Sequence, residues 1–256
     1  MISMPYHALS TSKIARAVGC HPNTVRLYEQ WGFIPSVRRS PAGYRLYTQA
    51  HLDAMRLARL ALNTAWPGRL IRRSAARLAR HAATGDLGGA LELAYQHLAL
   101  VQSELAQAEA AALLLERWAQ GVPADATATP LGIKATAQLL VVTVDTLRGW
   151  ERNGLLRVPR HPGNGYRQYG PAEISRLRVI RMLRTSGYSL MAILRMLLQL
   201  DAGAREDLRQ VLDTPRPDED AYWAADRWLT TLTDQLQRAR ELIAQLEGMI
   251  QRQQSA

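Results

Sequence analysis

The sequence predicts a mainly α-helical protein: two winged helix-turn-helix domains, each followed by a long coiled-coil helix, the two long helices paired antiparallel. Three observations predict it. The 256-residue chain repeats itself at a fixed spacing. Each copy holds two short amphipathic segments, a tight turn and a basic stretch punctuated by Pro and Gly. After each copy, apolar residues recur at alternating steps of three and four.

The repeat comes first, because a missed internal period misassigns a whole fold. Thr24-Val25-Arg26-Leu27-Tyr28-Glu29 matches Thr146-Leu147-Arg148-Gly149-Trp150-Glu151, 122 residues further on. Gly43-Tyr44-Arg45-Leu46-Tyr47 matches Gly165-Tyr166-Arg167-Gln168-Tyr169 at the same spacing. Gly32 falls on Gly154, Arg38 on Arg160, Arg59 on Arg181, Trp66 on Tyr188 and Ile71 on Ile193. One shift is expected to hold without a gap from about residue 11 to residue 71.

Each copy opens with a short amphipathic segment, Ser12–Val18 or Lys134–Leu140, and a tight turn. A second short helix follows, Pro22–Gln30 or Val144–Arg152. Pro22 suits a first helical turn, where its missing N–H costs nothing. Thr143 and Asp145 offer oxygens to the start of the second copy's helix. Gly32 and Gly154 end these helices. The stretches Pro35–Arg45 and Arg157–Arg167 alternate turn residues with short β-prone runs, the signature of a hairpin or wing. Thr48 then caps a third helix, and Gly170-Pro171 with Glu173 opens its counterpart.

Two short helices joined by a tight turn place the second in the major groove of DNA. The expected contacts on the first reading helix are Asn23, Thr24, Arg26 and Tyr28; on the second they are Asp145, Thr146, Arg148 and Trp150. From the wings come Arg38, Arg39, Tyr44 and Arg45, and Arg160, Tyr166 and Arg167. The pairs Tyr44-Arg45 and Tyr166-Arg167 set a hydroxyl beside a guanidinium, which suits phosphate. Tyr47 and Tyr169 are expected to pack the wing onto the helices instead. Glu29 and Glu151 read as structural, since phosphates repel carboxylates.

Charge agrees. Thirty-two Lys and Arg against twenty-two Asp and Glu leave a net charge of +10. Such an excess points to nucleic acid or an anionic surface, with a solvated basic face as the plainer alternative. Cys20 is the single cysteine, so no disulfide can form within the chain, and the count argues against a thiolate metal site. Cys20 reads as a small buried residue aligned with Val142. The six histidines are scattered, and neither a Gly-rich phosphate loop nor a zinc-spaced cluster is present. The expectation is therefore no enzyme, no cofactor and no bound metal. No signal-like N-terminus and no uncharged stretch of spanning length is read. The longest candidates lie around Leu139–Val144 and Met191–Leu200, giving a cytoplasmic, nucleoid-associated expectation with no membrane partner.

Leu91, Ala94, Leu98, Val101, Leu105, Ala108, Ala112 and Leu115 form one seam; Leu229, Leu232, Leu236, Ala239, Ile243, Leu246 and Ile250 form another. Ordinary amphipathic helices on a core are the alternative. The resulting domains are 8–85 and 131–213 for the winged units, 88–119 and 220–252 for the coiled-coil helices, and 120–130 for the linker. A helix from Leu91 to Trp118 is roughly 40 Å long. Antiparallel pairing keeps the linker short, so a monomeric pseudo-dimer is favoured over a homodimer, with pairing between two chains left open.

Trp118, Tyr222, Trp223 and Trp228 sit near the helix ends. They read either as a pocket for an apolar or cationic small-molecule effector or as packing between coil and winged domain. Arg69, Arg72, Arg73, Arg77 and Arg80 follow Ala65-Trp66-Pro67-Gly68 within the first winged unit, as further phosphate contacts or as a solvated face.

The string Thr24-x-Arg26-x-Tyr28-Glu29, Gly32, Arg38, Gly43-Tyr44-Arg45-x-Tyr47 resembles the MerR family of bacterial transcription regulators. So does its second copy, continuing to Leu183-Arg184-x-x-Gly187-Tyr188-Ser189-Leu190-x-x-Ile193. The resemblance implies a sequence-specific regulator that binds double-stranded promoter DNA at paired half-sites, distorts the spacer and works with RNA polymerase. It implies the DNA contacts Arg26, Tyr44, Arg45, Arg148, Tyr166 and Arg167. The chain departs from the family in carrying two winged units and in lacking cysteines near the coil end, and no extra sensing domain is expected after the second coil. The reading helices also differ, so an asymmetric operator is expected. The alternatives are an architectural, nucleoid-type DNA-binding protein and a drug-responsive regulator with an aromatic pocket.

Overall fold

The computed structural model describes residues 9–64, 68–121, 129–204, 207–215 and 227–255. Its elements in chain order begin with α1 (Thr11–Ala17), α2 (Pro22–Gln30), β1 (Arg38–Arg39), β2 (Arg45–Leu46), α3 (Gln49–Leu62) and α4 (Arg69–Ala83). The long α5 (Leu87–Ala119) follows, then α6 (Ile133–Leu139), α7 (Val144–Arg152), α8 (Pro171–Thr185), α9 (Leu190–Asp201), α10 (Leu208–Asp213) and α11 (Trp228–Gln254). The chain divides into two compact units: Met1–Ser103 with Leu232–Ala256, and Glu104–Thr231.

In the first unit the helix ends follow from local chemistry. Ser10 Oγ accepts from Lys13 N at 3.3 Å to start α1. His21 Nδ1 accepts from Asn23 N at 3.2 Å to start α2, with Pro22 at its first position. Thr48 and His51 cap α3 reciprocally. Ile14, Val25, Tyr47, Met55, Leu57 and Leu78 build one core. Ala90 and Ala94, near the start of α5, and Leu242, Ile243, Leu246 and Met249, near the end of α11, belong to the same core. Tyr95 Oη donates to Glu247 Oε1 at 3.4 Å. Arg252 Nε donates to the buried Asp53 Oδ2 at 3.2 Å. The start of one long helix thus meets the end of the other, as antiparallel pairing requires.

The second unit repeats the plan. Thr143 Oγ1 accepts from Thr146 N at 3.0 Å to start α7, and Glu173 reaches back to Gly170 N at 2.9 Å to start α8. Leu147, Leu155, Tyr169, Leu177, Ile180, Tyr188 and Ile193 are buried. The end of α5 is fastened here: Tyr188 Oη donates to Ala108 O at 3.0 Å, Trp118 Nε1 to Ser175 Oγ at 2.7 Å, and Arg209 pairs with Glu109 at 3.2 Å. Asp213 Oδ1 accepts from Leu229 N at 2.9 Å, so the first residues of α11 belong to this unit too. Each unit therefore contains one winged module and parts of both long helices.

The wings correct the expectation of a gapless repeat. Arg39 pairs with Arg45 in the β1–β2 ladder, whereas its counterpart is the bridge Arg160–Arg167. Ser40 N donates to Tyr44 O, and His161 N to Tyr166 O. Arg160 thus stands where Arg39 stands, not Arg38. The first strand of each wing is related by 121 residues and the second by 122, because the tip Pro162–Gly165 is one residue longer than Pro41–Gly43. Pro159 then occupies the place of Arg38.

The predicted seams hold their faces: every position of both seams is buried or half-buried. His97, Thr231 and Gln235 add buried polar groups to these helices. α5 is also long and apolar enough to cross a membrane by length and composition, a stretch the sequence reading passes over. Ala94, Val101, Ala108, Ala112 and Leu115 of this helix are buried, while Leu113 and Leu114 are exposed.

Candidate nucleic-acid interface

The two reading helices present polar N-terminal turns. Asn23 and Arg26 are exposed and Thr24 is half-buried; Asp145, Arg148 and Thr146 take the same positions on α7. They differ electrostatically: Arg148 Nη1 lies 3.3 Å from Asp145 Oδ1, while Arg26 has the neutral Asn23 at the equivalent place. Tyr28 and Trp150 do not join them. They are 8 % and 6 % exposed and share the inner face of their helices with Val25 and Leu147. Tyr28 packs on Phe33 with ring centroids 5.6 Å apart. This corrects the expectation that these rings touch DNA: their spacing of three residues from Val25 and Leu147 places them on the core side.

The wings carry the exposed aromatics. Tyr44 and Tyr166 are each 74 % exposed. Tyr47 and Tyr169 are buried, and burial raises both phenol pKa values. Gly43 and Gly165, at φ of +82° and +71°, make the tight return before each exposed tyrosine. Arg39 Nη1 donates to Gly43 O at 3.2 Å, and Arg160 Nη1 donates to Gly165 O at 3.3 Å, so one arginine braces each turn. Arg38 and Arg39 are both exposed.

Arg45 and Arg167 are anchored. Arg45 Nε lies 2.6 Å from Glu29 Oε2, and Arg167 Nε lies 2.6 Å from Glu151 Oε2. The hydrogen bond to Glu151 raises the Arg167 pKa further. Each bond uses Nε of its arginine. Glu29 and Glu151, read from the sequence as structural, are what tie each reading helix to its wing. A groove of about 550 Å³ runs past Arg26, Glu29, Gly32, Ser36 and Arg45 in the first unit.

Of the aromatic quartet, the two described members, Trp118 and Trp228, do not share a pocket. Trp118 lines a cleft of about 1000 Å³ in the second unit, among Glu151, Asn153, Arg157, Arg176 and Asp201. Trp228 is buried elsewhere, its Nε1 donating to Ser186 O at 2.8 Å. Tyr222 and Trp223 lie outside the described residues. Cys20 is half-buried against the first core, and desolvation raises its thiol pKa. Among the described residues no group of three or more His, Cys, Asp or Glu side chains could hold a metal ion.

Comparison with known proteins finds the same two segments. The family described as MerR HTH family regulatory protein matches residues 9–65 and again residues 131–200. Over 73 residues the chain is 38% identical to the mercuric resistance operon regulatory protein of Shigella flexneri, covering 28% of this chain and 50% of that protein. It is 26% identical over 117 residues to a probable heavy metal-dependent transcriptional regulator of Haemophilus influenzae, covering 46% of this chain and 83% of that one. It is 38% identical over 53 residues to the HTH-type transcriptional regulator CueR of Escherichia coli, covering 21% and 39%. The chain spans about half the length of the mercuric regulators it matches. No solved structure matches.

Proposed function

The chain belongs to the MerR family of helix-turn-helix regulatory proteins, with the family's module present twice, and from that premise we propose that it is a promoter-binding transcription regulator acting as a single-chain pseudo-dimer. One observation carries the reading: the same set of exposed and half-buried polar side chains recurs in both modules. Arg26 and Arg148 project from the reading helices, Tyr44 and Tyr166 from the wing tips, and Arg45 and Arg167 are braced by Glu29 and Glu151. A basic reading helix flanked by a hydroxyl and a fixed guanidinium is what phosphate-anchored groove reading needs.

The pseudo-dimer rests on the way each compact unit draws on both long helices. Two modules held by their own chain engage two half-sites together. The distortion of the spacer between them costs on the order of several kcal/mol, offset by the contacts on both sides. The modules differ at Asn23 against Asp145, at Arg38 against Pro159 and in wing-tip length, so the half-sites differ as well. RNA polymerase is the partner that uses the distorted promoter, and the protein acts in the cytoplasm, at the nucleoid.

Footprinting on selected genomic fragments, combined with the mass of the complex in solution, tests this. One chain on an operator with unlike half-sites is expected; two chains on a perfect palindrome overturns the pseudo-dimer. The double variant Arg26→Ala, Arg148→Ala abolishes the gel shift if the interface is right, and an unchanged shift overturns it. Run-off transcription then separates a regulator, which changes initiation, from an architectural protein.

A further inference from the structure

The two repeats differ in charge in the helix that follows the wing and its helix, α4 in the first and α9 in the second. α4 carries Arg69, Arg72, Arg73, Arg77 and Arg80 and no acidic residue. α9 carries Arg195 as its single basic residue, with Asp201 at its end, and the Arg195 side chain is buried, its Nε donating to Val211 O at 2.8 Å. Residues 9–82 hold thirteen basic and two acidic side chains, while the matching 131–204 hold eleven and four. A shared DNA-binding role does not require this difference.

Arg73, Arg77 and Arg80 follow one another at steps of four and three, so they share a face of α4. With Ser74, Leu93 and Gln96 they line a groove of about 430 Å³ between α4 and α5. None of the lining residues is a carboxylate. Three guanidiniums within two turns repel one another until an anion joins them, and their planar forks match phosphate or carboxylate oxygens two at a time. The volume suits a small molecule. Arg80 also has a second attachment. Its Nε donates to Trp31 O at 3.3 Å, and its guanidinium lies 4.6 Å from the centre of the Phe33 ring. Trp31 is the C-cap residue of α2.

We infer that this groove binds a small polyanion bearing phosphate or clustered carboxylate groups, on the first repeat only, and that Arg80 passes its occupancy to the end of the first reading helix. The anion takes the Nη groups of Arg73, Arg77 and Arg80 while the Nε of Arg80 keeps its bond to Trp31. The consequence for transcription rests on the function proposed above; the binding itself does not.

Inorganic pyrophosphate is the probe, added to the full chain without DNA, with sodium chloride holding ionic strength constant. Saturating pyrophosphate is expected to raise Tm by about 3 °C and to shift the tryptophan emission, the emission shift being lost in Trp31→Phe. Arg73→Gln with Arg77→Gln loses both effects, as does Arg77→Glu, which puts a carboxylate in the groove. The wing variant Arg38→Gln, Arg39→Gln keeps the Tm rise. No rise in the wild type, or an equal rise in the groove variants, overturns the inference. So does a fall of about two in the slope of log K against log salt for DNA binding by Arg73→Gln, Arg77→Gln, which assigns these arginines to the DNA backbone instead. The first readout needs no DNA, so its failure and the failure of the DNA-binding reading are seen separately.

Discussion

Arg45 Nε sits 2.6 Å from Glu29 Oε2, and 122 residues later Arg167 repeats the bond to Glu151 at the same distance. The carboxylate belongs to the reading helix and the guanidinium to the wing, so one bond ties together the two parts proposed to meet DNA. Removing a negative charge near phosphates should tighten binding if only net charge mattered. We predict the reverse. Glu29→Gln frees the wing arginine to swing, and DNA affinity falls about threefold to tenfold, the scale of a half-buried ion pair. A titration of the first half-site measures it, and tighter binding by Glu29→Gln sinks the idea.

Much of this was legible in the chain. The 122-residue spacing and the alternating steps of the seams follow directly from the residues, because a repeated fold and a helical stripe both impose a period. What escaped has physical reasons. The slipped first strand of the wing was hidden by the strong Gly-Tyr-Arg-x-Tyr match, although Val37, Arg39 and Pro41 agree with Val158, Arg160 and Pro162 at a spacing of 121. Residue type alone sets Tyr28 and Trp150 on the DNA face, whereas helical phase with Val25 and Leu147 places them inside. Closeness to helix ends does not say which way a ring turns: Trp118 and Trp228 bond to different partners.

The tyrosines of each wing separate binding from folding. Tyr44→Phe and Tyr166→Phe remove hydroxyls from exposed rings, so Tm stays level while DNA affinity drops by about 1 kcal/mol for each hydrogen bond lost. Tyr28→Ala behaves the other way. It empties a packed site between Val25 and Phe33 and costs about 3–5 kcal/mol of stability. Paired thermal melts and DNA titrations check both, and a Tyr44→Phe variant that loses stability but not affinity contradicts the assignment.

The turns between the first two helices of each module are built unequally. Gly19 has φ +62°, and Val141, in the equivalent place, has φ +50°. A β-branched residue in the left-handed region is strained by about 1–2 kcal/mol. Val141 is also 82 % exposed, so its side chain has little packing to offset that strain. Val141→Gly therefore stabilises the second unit by about 0.5–1 kcal/mol, after the greater unfolded-state entropy of glycine is allowed for. Gly19→Val destabilises the first unit, although no heavy atom lies within 4 Å of its added Cβ. Urea denaturation of the two variants decides it; the same sign in both would contradict the backbone argument.

His97 is buried on α5, and desolvation lowers its pKa to about 4. The sign follows from linkage. Above pH 6.5 the ring is neutral whether the chain is folded or not. As pH falls below 6.5 the unfolded chain takes up the proton first, so stability is lost down to about pH 4. The loss over that window is about 3 kcal/mol. His97→Gln is expected to flatten this part of the stability–pH curve relative to wild type, read from urea midpoints at pH 7.5, 6, 5 and 4.5. Parallel curves for the two proteins would show that His97 is not the group responsible.

Asn23 and Asp145 occupy matching positions on the two reading helices, and they set opposite electrostatics for the arginine three residues on. Asp145 holds Arg148 at 3.3 Å, and on the proposed interface its carboxylate would repel the approaching phosphates. Exchanging the two residues should exchange the behaviour. Asp145→Asn releases Arg148 and tightens the second half-site about threefold to tenfold, and the salt slope steepens by about one as one more phosphate is neutralised. Asn23→Asp weakens the first half-site by a similar factor and flattens its slope. Both substitutions lie on exposed first turns, so neither should change Tm by more than about 2 °C. Binding curves at three salt concentrations, with each half-site scrambled in turn, test the pair. If both variants move affinity in the same direction, the carboxylate is not what distinguishes the two modules.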